Sequence, residues 1–476
     1  MTVKRFLIFA PIILLAVLLQ SYFWVPSYEE QTRGNPDRLH DYITASIGDA
    51  AILNPVLAAD SASSDINNLV FEGLLDRDKE LHLRGRLARS WEIFEEAFFY
   101  VNEQAMIPGL GRAGAREVAA HLRRLAADAK QEKGEVQQSL ANIRAIEVES
   151  GREFELVRKR EKDSDKPALR LQIKAPERIK LVLGRVDQDL FSNLAKILGP
   201  DYFSSFPAAD FIQPVGEENW DGSSPAPAEI LPAIEHNPVI VFHLREGVKF
   251  HDGHIFDAGD VKFTYETIMN PKNLSPRIPD YEPVKEVEVF DPLTVRIVYK
   301  RLYSPALATW NMGILPEHLL NETALRQEAE RLGRAPEGYT MRQSEFNRRP
   351  VGCGPFVFRL WQADQYIILD AFADYWEGAP NYRRYVYRII PDLLTQEMEF
   401  YAGTVDSYGV QPHQVERLGD DPRFQSFSGL SFGYTYIGYN MRRPPFNDAR
   451  VRKALGMAID VDKIIDFVLY GQGERL

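Results

Sequence analysis

Residues 436–460 read Tyr436-Ile-Gly-Tyr-Asn440-Met-Arg-Arg-Pro444-Pro445-Phe-Asn-Asp448-Ala-Arg-Val-Arg-Lys-Ala-Leu-Gly-Met-Ala-Ile-Asp460. The aromatic, β-prone opening predicts a strand over Thr435–Asn440, ended by Pro444-Pro445, because proline cannot donate to a ladder. Asp448 then stands where an N-cap belongs, ahead of apolar residues at helical spacing: Val451, Leu455 and Ile459, and later Ile464, Ile465 and Val468. A second block has the same grammar. Phe242-His-Leu-Arg-Glu-Gly-Val-Lys-Phe-His-Asp-Gly253, followed by Asp257-Ala-Gly-Asp260-Val-Lys-Phe-Thr-Tyr-Glu266, reads as strand, turn, N-cap and helix.

Two further blocks extend the pattern in both directions. Arg349-Pro-Val-Gly-Cys-Gly-Pro-Phe356 is a glycine turn, followed at a distance by Asp374-Tyr-Trp-Glu-Gly378. Near the start lie Leu53-Asn-Pro55, Phe71-Glu-Gly-Leu-Leu75 and Leu87-Ala-Arg-Ser-Trp91. Taken in order, these blocks resemble the family 5 extracellular solute-binding proteins, the peptide-, nickel- and oligosaccharide-binding receptors of bacterial ABC importers. The resemblance covers roughly residues 45–91 and 238–476. It implies an α/β fold of two lobes, periplasmic-binding-protein type II-like (cluster C). Family members continue past the position of Leu476, so the second lobe is expected to be incomplete and the chain to be a fragment of a longer receptor.

Composition narrows the field. Of 476 residues, 45% are hydrophobic and 26% charged, ordinary values for globular domains, and the length suggests several of them. Lys plus Arg number 56 against 68 Asp plus Glu, a net charge of −12, which argues against a nucleic-acid footprint. The single cysteine, Cys353, forbids an intrachain disulfide and a thiolate metal cluster. It reads as a small residue in a tight bend rather than a catalytic thiol.

The amino end sets the compartment. Lys4 and Arg5 precede an apolar run from Phe6 to Leu19, which Gln20 and Ser21 interrupt before Tyr22-Phe-Trp-Val25. A positive start and a short apolar segment spell a secretory signal. No Ala-x-Ala site follows, and no cysteine is there for a lipid anchor. Counted through Val25, about 20 residues at about 1.5 Å each can cross the roughly 30 Å hydrocarbon core. Residues 1–27 are therefore expected to be a signal or signal-anchor transmembrane segment, with an uncleaved anchor favoured over cleavage after Ser27. The remainder then lies in the periplasm or on the outer face of the cytoplasmic membrane.

Matched to the family, the chain divides into a first part of lobe 1 (41–93), an inserted α/β subdomain (94–236), the continuation of lobe 1 (237–372) and a truncated lobe 2 (373–476). The insertion is inferred because the family turns from its Ser-Trp-Glu strand into its His-Leu-Arg strand within some ten residues. Within it, Gly114–Ile146 reads as one or two amphipathic helices, and Glu147–Arg158 with Ala168–Lys174 as a hairpin. Ile179–Leu198 reads as strand or helix, and Pro207–Pro232 as loop. Before the insertion, Ile66, Leu69, Val70 and Leu74 predict a helix that Asp65 or Ser64 caps. Inside lobe 2, Val386–Ile390 reads as a strand and Thr395–Ala402 as a helix.

Carried over by motif position, the resemblance implies ligand-binding residues at Asp60, Ser61, Ala62 and Ser63, then Trp310 and Asn311, and in lobe 2 Tyr434, Tyr436 and Asn440. The tyrosines have an equal claim as ordinary core, since aromatics fill strand faces. Gly352 and Gly354 read as turn-formers beside the hinge, and Arg442 and Arg443 as a solvated edge or partners for a ligand carboxylate. Two chemical readings compete with binding. His251 and His254, with His243 nearby, invite a metal site, but an Asp-Gly turn explains the pair more simply. Gly429-Leu-Ser431-Phe-Gly433 fits a hydrolase nucleophile elbow, yet it leads into strand-like residues and no histidine follows it.

The reading is therefore a non-catalytic substrate-binding component of an ABC transporter, without cofactor or metal. It captures a peptide or similar small solute and delivers it to an ABC permease, with the membrane as a further partner through the N-terminal segment and no nucleic acid. The alternatives are a membrane-anchored sensor or scaffold derived from the same fold and, from another class, a secreted serine hydrolase resting on Ser431.

Overall fold

The computed structural model describes residues 36–129, 134–158, 169–215, 225–429 and 433–475, with isolated positions between 11 and 20. The predicted signal or anchor falls almost wholly outside these residues, as does Ser431. Among the described residues no helix is long and apolar enough to cross a membrane.

In chain order the strands are β1 (Asp41–Ser46), β2 (Leu75–Arg77), β3 (Leu83–Gly85), β4 (Ala88–Tyr100), β5 (Ile143–Glu149), β6 (Arg152–Arg158), β7 (Leu169–Ala175), β8 (Arg178–Leu183), β9 (Ile212–Pro214), β10 (Ile234–Leu244), β11 (Val284–Asp291), β12 (Thr294–Tyr299), β13 (Phe356–Gln362), β14 (Tyr366–Ala371) and β15 (Arg384–Ile389). The longer helices are α1 (Ser61–Val70), α2 (Ala115–Asp128), α3 (Glu135–Asn142), α4 (Leu190–Leu198), α5 (Ala258–Met269), α6 (Glu322–Arg331), α7 (Leu393–Ala402) and α8 (Ala449–Met457). They form two compact units. One is His40–Tyr42 with Ser46–Ile389; the other is Ile43–Ala45 with the described residues up to Leu39 and from Ile390 onward.

The larger unit is built on a six-stranded sheet of order β11-β12-β10-β4-β8-β5. Trp91 pairs with Phe242 and Phe99 with Ile234, so β4 and β10 form one long antiparallel ladder. Residues 101–233 therefore connect the far end of this ladder, and within them β8 and β5 return to widen the same sheet. The amphipathic stretch becomes α2 and α3, and the strand-or-helix stretch becomes β8 followed by α4. Their apolar faces close over Phe99, Val118, Leu122, Leu181, Leu194 and Tyr202, all buried. The expected hairpin is present: β6 pairs with β7 from Arg158↔Leu169 to Arg152↔Ala175, and β9 completes a three-stranded sheet. The stretch expected to be loop contains β9 and a short helix, Pro227–Ile230.

The main core gathers Leu53, Ile66, Leu74, Phe242, Phe250, Phe256, Val295 and Trp310, and the sheet β13-β14-β15 packs Phe356, Ile367 and Leu369 onto it. At the end of that sheet the His40 carbonyl accepts from the Arg383 and Arg384 amides. The predicted strand–turn–helix block is realised as β10, a turn, and α5 capped by Asp257. The Asp257 carboxylate accepts from Gly259 N while Asp260 bonds back to Asp257 N at 3.0 Å. The first helix starts earlier than expected. Asp60, extended at φ −107°, ψ 156°, is the N-cap and accepts from Ser63 N at 2.7 Å, so Asp65 and Ser64 lie inside the helix. The Ser64 hydroxyl bonds back to the Asp60 carbonyl, which lets a serine-rich first turn stay helical.

At the other end of α1, the glycine turn closes the helix. Gly354 N donates to the Val70 carbonyl at 2.9 Å, satisfying a last-turn acceptor. A Cβ on Gly352 would sit 2.0 Å from that same oxygen, so the approach admits only glycine.

In the smaller unit, α7 begins at Asp392, which accepts from Thr395 N at 2.7 Å, and ends at Gly403 with φ +73°. Asp406 ties the unit together, accepting from Ile43 N and pairing with Arg38. Asp448 caps α8 as expected, accepting from Arg450 N at 2.8 Å. The strand expected at Thr435–Asn440 is a correction: 433–440 has no regular structure and pairs with no described strand. Alternating aromatics supply β propensity, but a ladder exists only where a second strand presents its free edge.

Candidate functional site

Within the larger unit, α1, the loop before it and the segment 303–313 enclose a cavity of about 420 Å³. Each wall is fixed by backbone chemistry. The Ser63 hydroxyl accepts from the Ala51 and Ile52 amides at 2.9 and 3.1 Å, tying the loop to the start of α1. Opposite, Leu74 N donates to the Trp310 carbonyl and Ile314 N to the Glu72 carbonyl, so 310–314 lies directly on 72–74. The contact needs two glycines. A Cβ on Gly73 would meet the Asn311 carbonyl at 2.4 Å, and one on Gly313 would meet Phe71 Cβ at 2.4 Å.

Polar groups dominate the lining. Ser64, Asn67 and Asn68 come from α1, Arg277 and Asp280 from the turn after α5, and Tyr303, Thr309 and Asn311 from the facing segment. Tyr281 lines it too, its hydroxyl donating to the Thr309 carbonyl at 2.8 Å, and burial holds its phenol neutral far above the usual range. One cation and one anion stand among neutral amides and hydroxyls. Asn67 is the unusual member. It is 4% exposed, and neither its Oδ1 nor its Nδ2 has a hydrogen-bond partner among the described residues; Arg277 Nε lacks one as well. A buried, unpaired polar group costs about 1–3 kcal/mol, which sets this amide apart from the satisfied polar groups around it.

The residues singled out by sequence divide sharply in placement. Asn311 is in the cavity wall. Trp310 lies behind it, 1% exposed, its Nε1 donating to the Tyr299 hydroxyl at 3.0 Å and its ring edge-on to Tyr281 at 5.3 Å. Asp60 caps α1, Ser61 opens it, and Ala62 and Ser63 are buried at its first turn. Tyr434, Tyr436 and Asn440 belong to the smaller unit and are exposed there, the two tyrosine rings 5.7 Å apart. Sequence reasoning passed over Ser64, Asn67 and Asn68, although a signal existed. They recur at i, i+3 and i+4 on a helix whose Ile66, Leu69 and Val70 supply the apolar face.

The blocks that carry the family resemblance meet elsewhere, in a buried polar knot. Glu72, 5% exposed, accepts from Arg86, from the Tyr375 hydroxyl and from Trp376 Nε1, and Arg86 also pairs with Glu377 at 2.6 Å. Burial raises the Glu72 pKa, a shift that the Arg86 charge and the two ring donors oppose. Arg245 lies over the Trp376 ring at 4.3 Å and Lys249 pairs with Asp374 at 2.8 Å. His251 turns inward. Its Nδ1 accepts from Gly352 N at 3.2 Å and its Nε2 bonds the Gly354 carbonyl at 2.9 Å, while burial lowers its pKa to about 4. That pattern fixes a neutral imidazole as a structural tie between the His-Asp-Gly turn and the glycine turn. His254 stacks on His318 at 3.9 Å, and His318 Nε2 bonds Asp252 at 2.7 Å. Among the described residues no group of three or more His, Cys, Asp or Glu side chains is placed to hold a metal ion.

The model of the bacterial extracellular solute-binding proteins, family 5 (middle), matches residues 225–476. The chain belongs to this family. A curated relative of this family 5 protein is the oligopeptide-binding protein AppA of Bacillus subtilis, 33% identical over 252 residues, which are 52% of this chain and 44% of AppA. Two solved structures share its fold. NikZ from Campylobacter jejuni, in complex with Ni(L-His), superposes with a TM-score of 0.52 at 19% identity, covering 91% of this chain and 56% of NikZ. AppA in complex with a nonapeptide gives 0.52 at 22%, covering 92% and 57%. This family 5 chain spans about half the length of the relatives it matches. The architecture is thus the mixed α/β one of two-lobed periplasmic binding proteins, as the resemblance implied.

Proposed function

We propose that this chain is the extracytoplasmic substrate-binding component of an ABC importer, and that its cavity holds a peptide or a similarly sized, amide-bearing solute. The observation that carries the reading is the buried, unpaired Asn67 carboxamide in the wall of a polar cavity. A carboxamide presents a donor and an acceptor side by side, which the N–H and C=O of one residue in an extended peptide, pointing to the same side, match in mirror order. Binding through backbone amides takes many sequences without reading their side chains. Micromolar capture asks only about −8 kcal/mol, within reach of a few hydrogen bonds plus apolar contact with Met312, Pro305 and the tyrosine rings. Family membership supports the same reading, since AppA is an oligopeptide-binding protein.

Asn311 belongs to this site, with Asp60–Ser63 and Trp310 holding its walls in place; Tyr434, Tyr436 and Asn440 are proposed as ligand contacts of the smaller unit. Residues 94–236 are an insertion into lobe 1, and residues 1–27 tether the protein to the outer face of the membrane beside its permease. The test is to purify the chain, denature it and identify by mass spectrometry what is released. Peptides recovered from the natural chain and absent from Asn67→Leu support the proposal. An empty protein whose unfolding transition ignores a mixed peptide pool overturns it.

A further inference from the structure

We propose that a second groove, on the glycine-turn side of the larger unit, binds a phosphoryl group. The hollow, about 600 Å³, lies between the Glu345–Val351 segment, the His251-Asp252 turn and β13. It shares no lining residue with the ligand cavity. Three arginines border it: Arg348, Arg349 and Arg359.

Their surroundings leave a local surplus of positive charge. Arg359 is matched by Asp370 on the neighbouring strand, its Nη1 3.2 Å from both carboxylate oxygens. The two carboxylates in the lining are held by cations or donors of their own. Glu345 pairs with Arg331 at 2.6 Å and Asp252 with His318 at 2.7 Å. Arg348 and Arg349 form no ion pair with a described carboxylate. The nearby imidazole of His251 is neutral at physiological pH because burial lowers its pKa to about 4. In a protein of net charge −12, two arginines consecutive in sequence, neither in an ion pair with a described carboxylate, set this groove apart, the Arg349 charge reaching only as far as helping Arg331 to lower the Glu345 pKa.

Both groups are presented from an ordered backbone. Arg348 N and Arg349 N donate to the Glu345 carbonyl at 2.9 and 3.1 Å. The Arg348 guanidinium lies on the Trp361 ring at 4.1 Å, and that ring is pinned by its Nε1 bonds to the Asp49 carboxylate at 3.0 and 3.1 Å. Stacking occupies a guanidinium's face and leaves its five N–H donors pointing outward in the plane, where a fork of donors meets two oxygens at once. One stacked fork, with a second guanidinium from the next residue lining the same groove, brings two positive charges that match a dianionic phosphoryl group better than a single carboxylate. The source is either a soluble phosphate or a phosphate-bearing lipid headgroup, and the chemistry recognised is the same.

The test uses the purified full chain titrated calorimetrically with inorganic phosphate, chloride being adjusted to hold ionic strength constant. Saturable binding with Kd at or below the millimolar range is expected. Arg348→Gln and Arg349→Gln should each weaken it at least tenfold, and Arg349→Lys, which keeps the charge and loses the fork, should weaken it less. Arg326→Gln, an exposed arginine on α6, should leave it unchanged. A flotation arm compares phosphatidic acid–phosphatidylcholine vesicles with phosphatidylcholine alone. Extra binding to the former that Arg349→Lys reduces assigns a lipid source, and phosphate binding without it assigns a soluble one. Absence of both, or phosphate binding that survives the Arg348→Gln/Arg349→Gln double variant at unchanged Tm, overturns the proposal.

Discussion

Asn67→Leu separates stability from function. Leucine keeps the forked outline of asparagine but removes the donor and the acceptor that stand unpaired at this 4%-exposed position. Two buried unsatisfied groups cost about 1–3 kcal/mol each. Taking the low end for both gives about 2 kcal/mol of relief, and the larger side chain returns about 1 kcal/mol as overpacking. The ligand-free variant should therefore be about 1 kcal/mol more stable than the natural protein, measured by urea unfolding at equal slope. The same change should weaken ligand capture by about tenfold or more, because two lost hydrogen bonds at about 1 kcal/mol each together exceed the 1.4 kcal/mol that one decade requires. Opposite signs in the two assays are the diagnostic. A variant that is less stable and still captures ligand normally would refute the argument that Asn67 is held open for a guest.

Three further outcomes follow from the scaffold. Arg86→Ala strands the buried Glu72 carboxylate and should cost about 3–5 kcal/mol in denaturant unfolding, whereas Glu377→Ala, which removes a half-exposed carboxylate at the rim, should cost under about 1 kcal/mol. Gly352→Ala drives a Cβ to within 2.0 Å of the Val70 carbonyl and should cost about 3 kcal/mol or leave the chain insoluble, while Gly409→Ala, with nothing within 4 Å, should be neutral in the same assay. Acid unfolding carries two opposed contributions. His251, lowered to about 4, is stabilising above the ordinary histidine range and loses that contribution as pH falls from about 6.5 to 4. Asp260, raised to about 6 by burial, contributes most below its ordinary value near 3.8 and loses that contribution as pH rises through 6. Between pH 4 and 6 they offset one another, so Asp260→Asn should expose a stability loss of roughly 3 kcal/mol on acidification, read as a shift in urea midpoint; a pH profile parallel to the natural protein would contradict the assignment.

Local grammar was legible wherever one residue type has one physical use. Asp257 and Asp448 cap α5 and α8 as their spacing demanded, and the hairpin β6–β7 fell where two alternating segments flank a charged turn. The cap of α1 was placed at Asp65 or Ser64 rather than Asp60, because a serine-rich first turn is indistinguishable by composition from a loop until a carbonyl is seen accepting from Ser64. The tyrosine-rich stretch at 433–440 failed for a different reason. Strand propensity is a property of a pleated surface with a neighbour, and the sequence of one strand does not contain its partner.

The cavity was missed because its lining and the sequence blocks of the resemblance lie in different places. The blocks that announce the family, Phe71-Glu-Gly, Arg349–Phe356 and Asp374–Gly378, are bound to one another through Glu72, Arg86, His251 and two glycines that tolerate no side chain. They report the frame and hold no position in the cavity lining apart from the segment's neighbours Pro55 and Gly313. Ser64, Asn67, Asn68 and Asn311 are carried on elements which that frame immobilises: α1 is closed at its C-terminus by the glycine turn, and 310–314 is pinned onto 72–74. A frame closed by glycines that tolerate no side chain lets the lining be exchanged without refolding. Side chains on the polar face of α1 can therefore change with little cost, whereas a change at Glu72 or Gly352 removes the surface on which any ligand would be read.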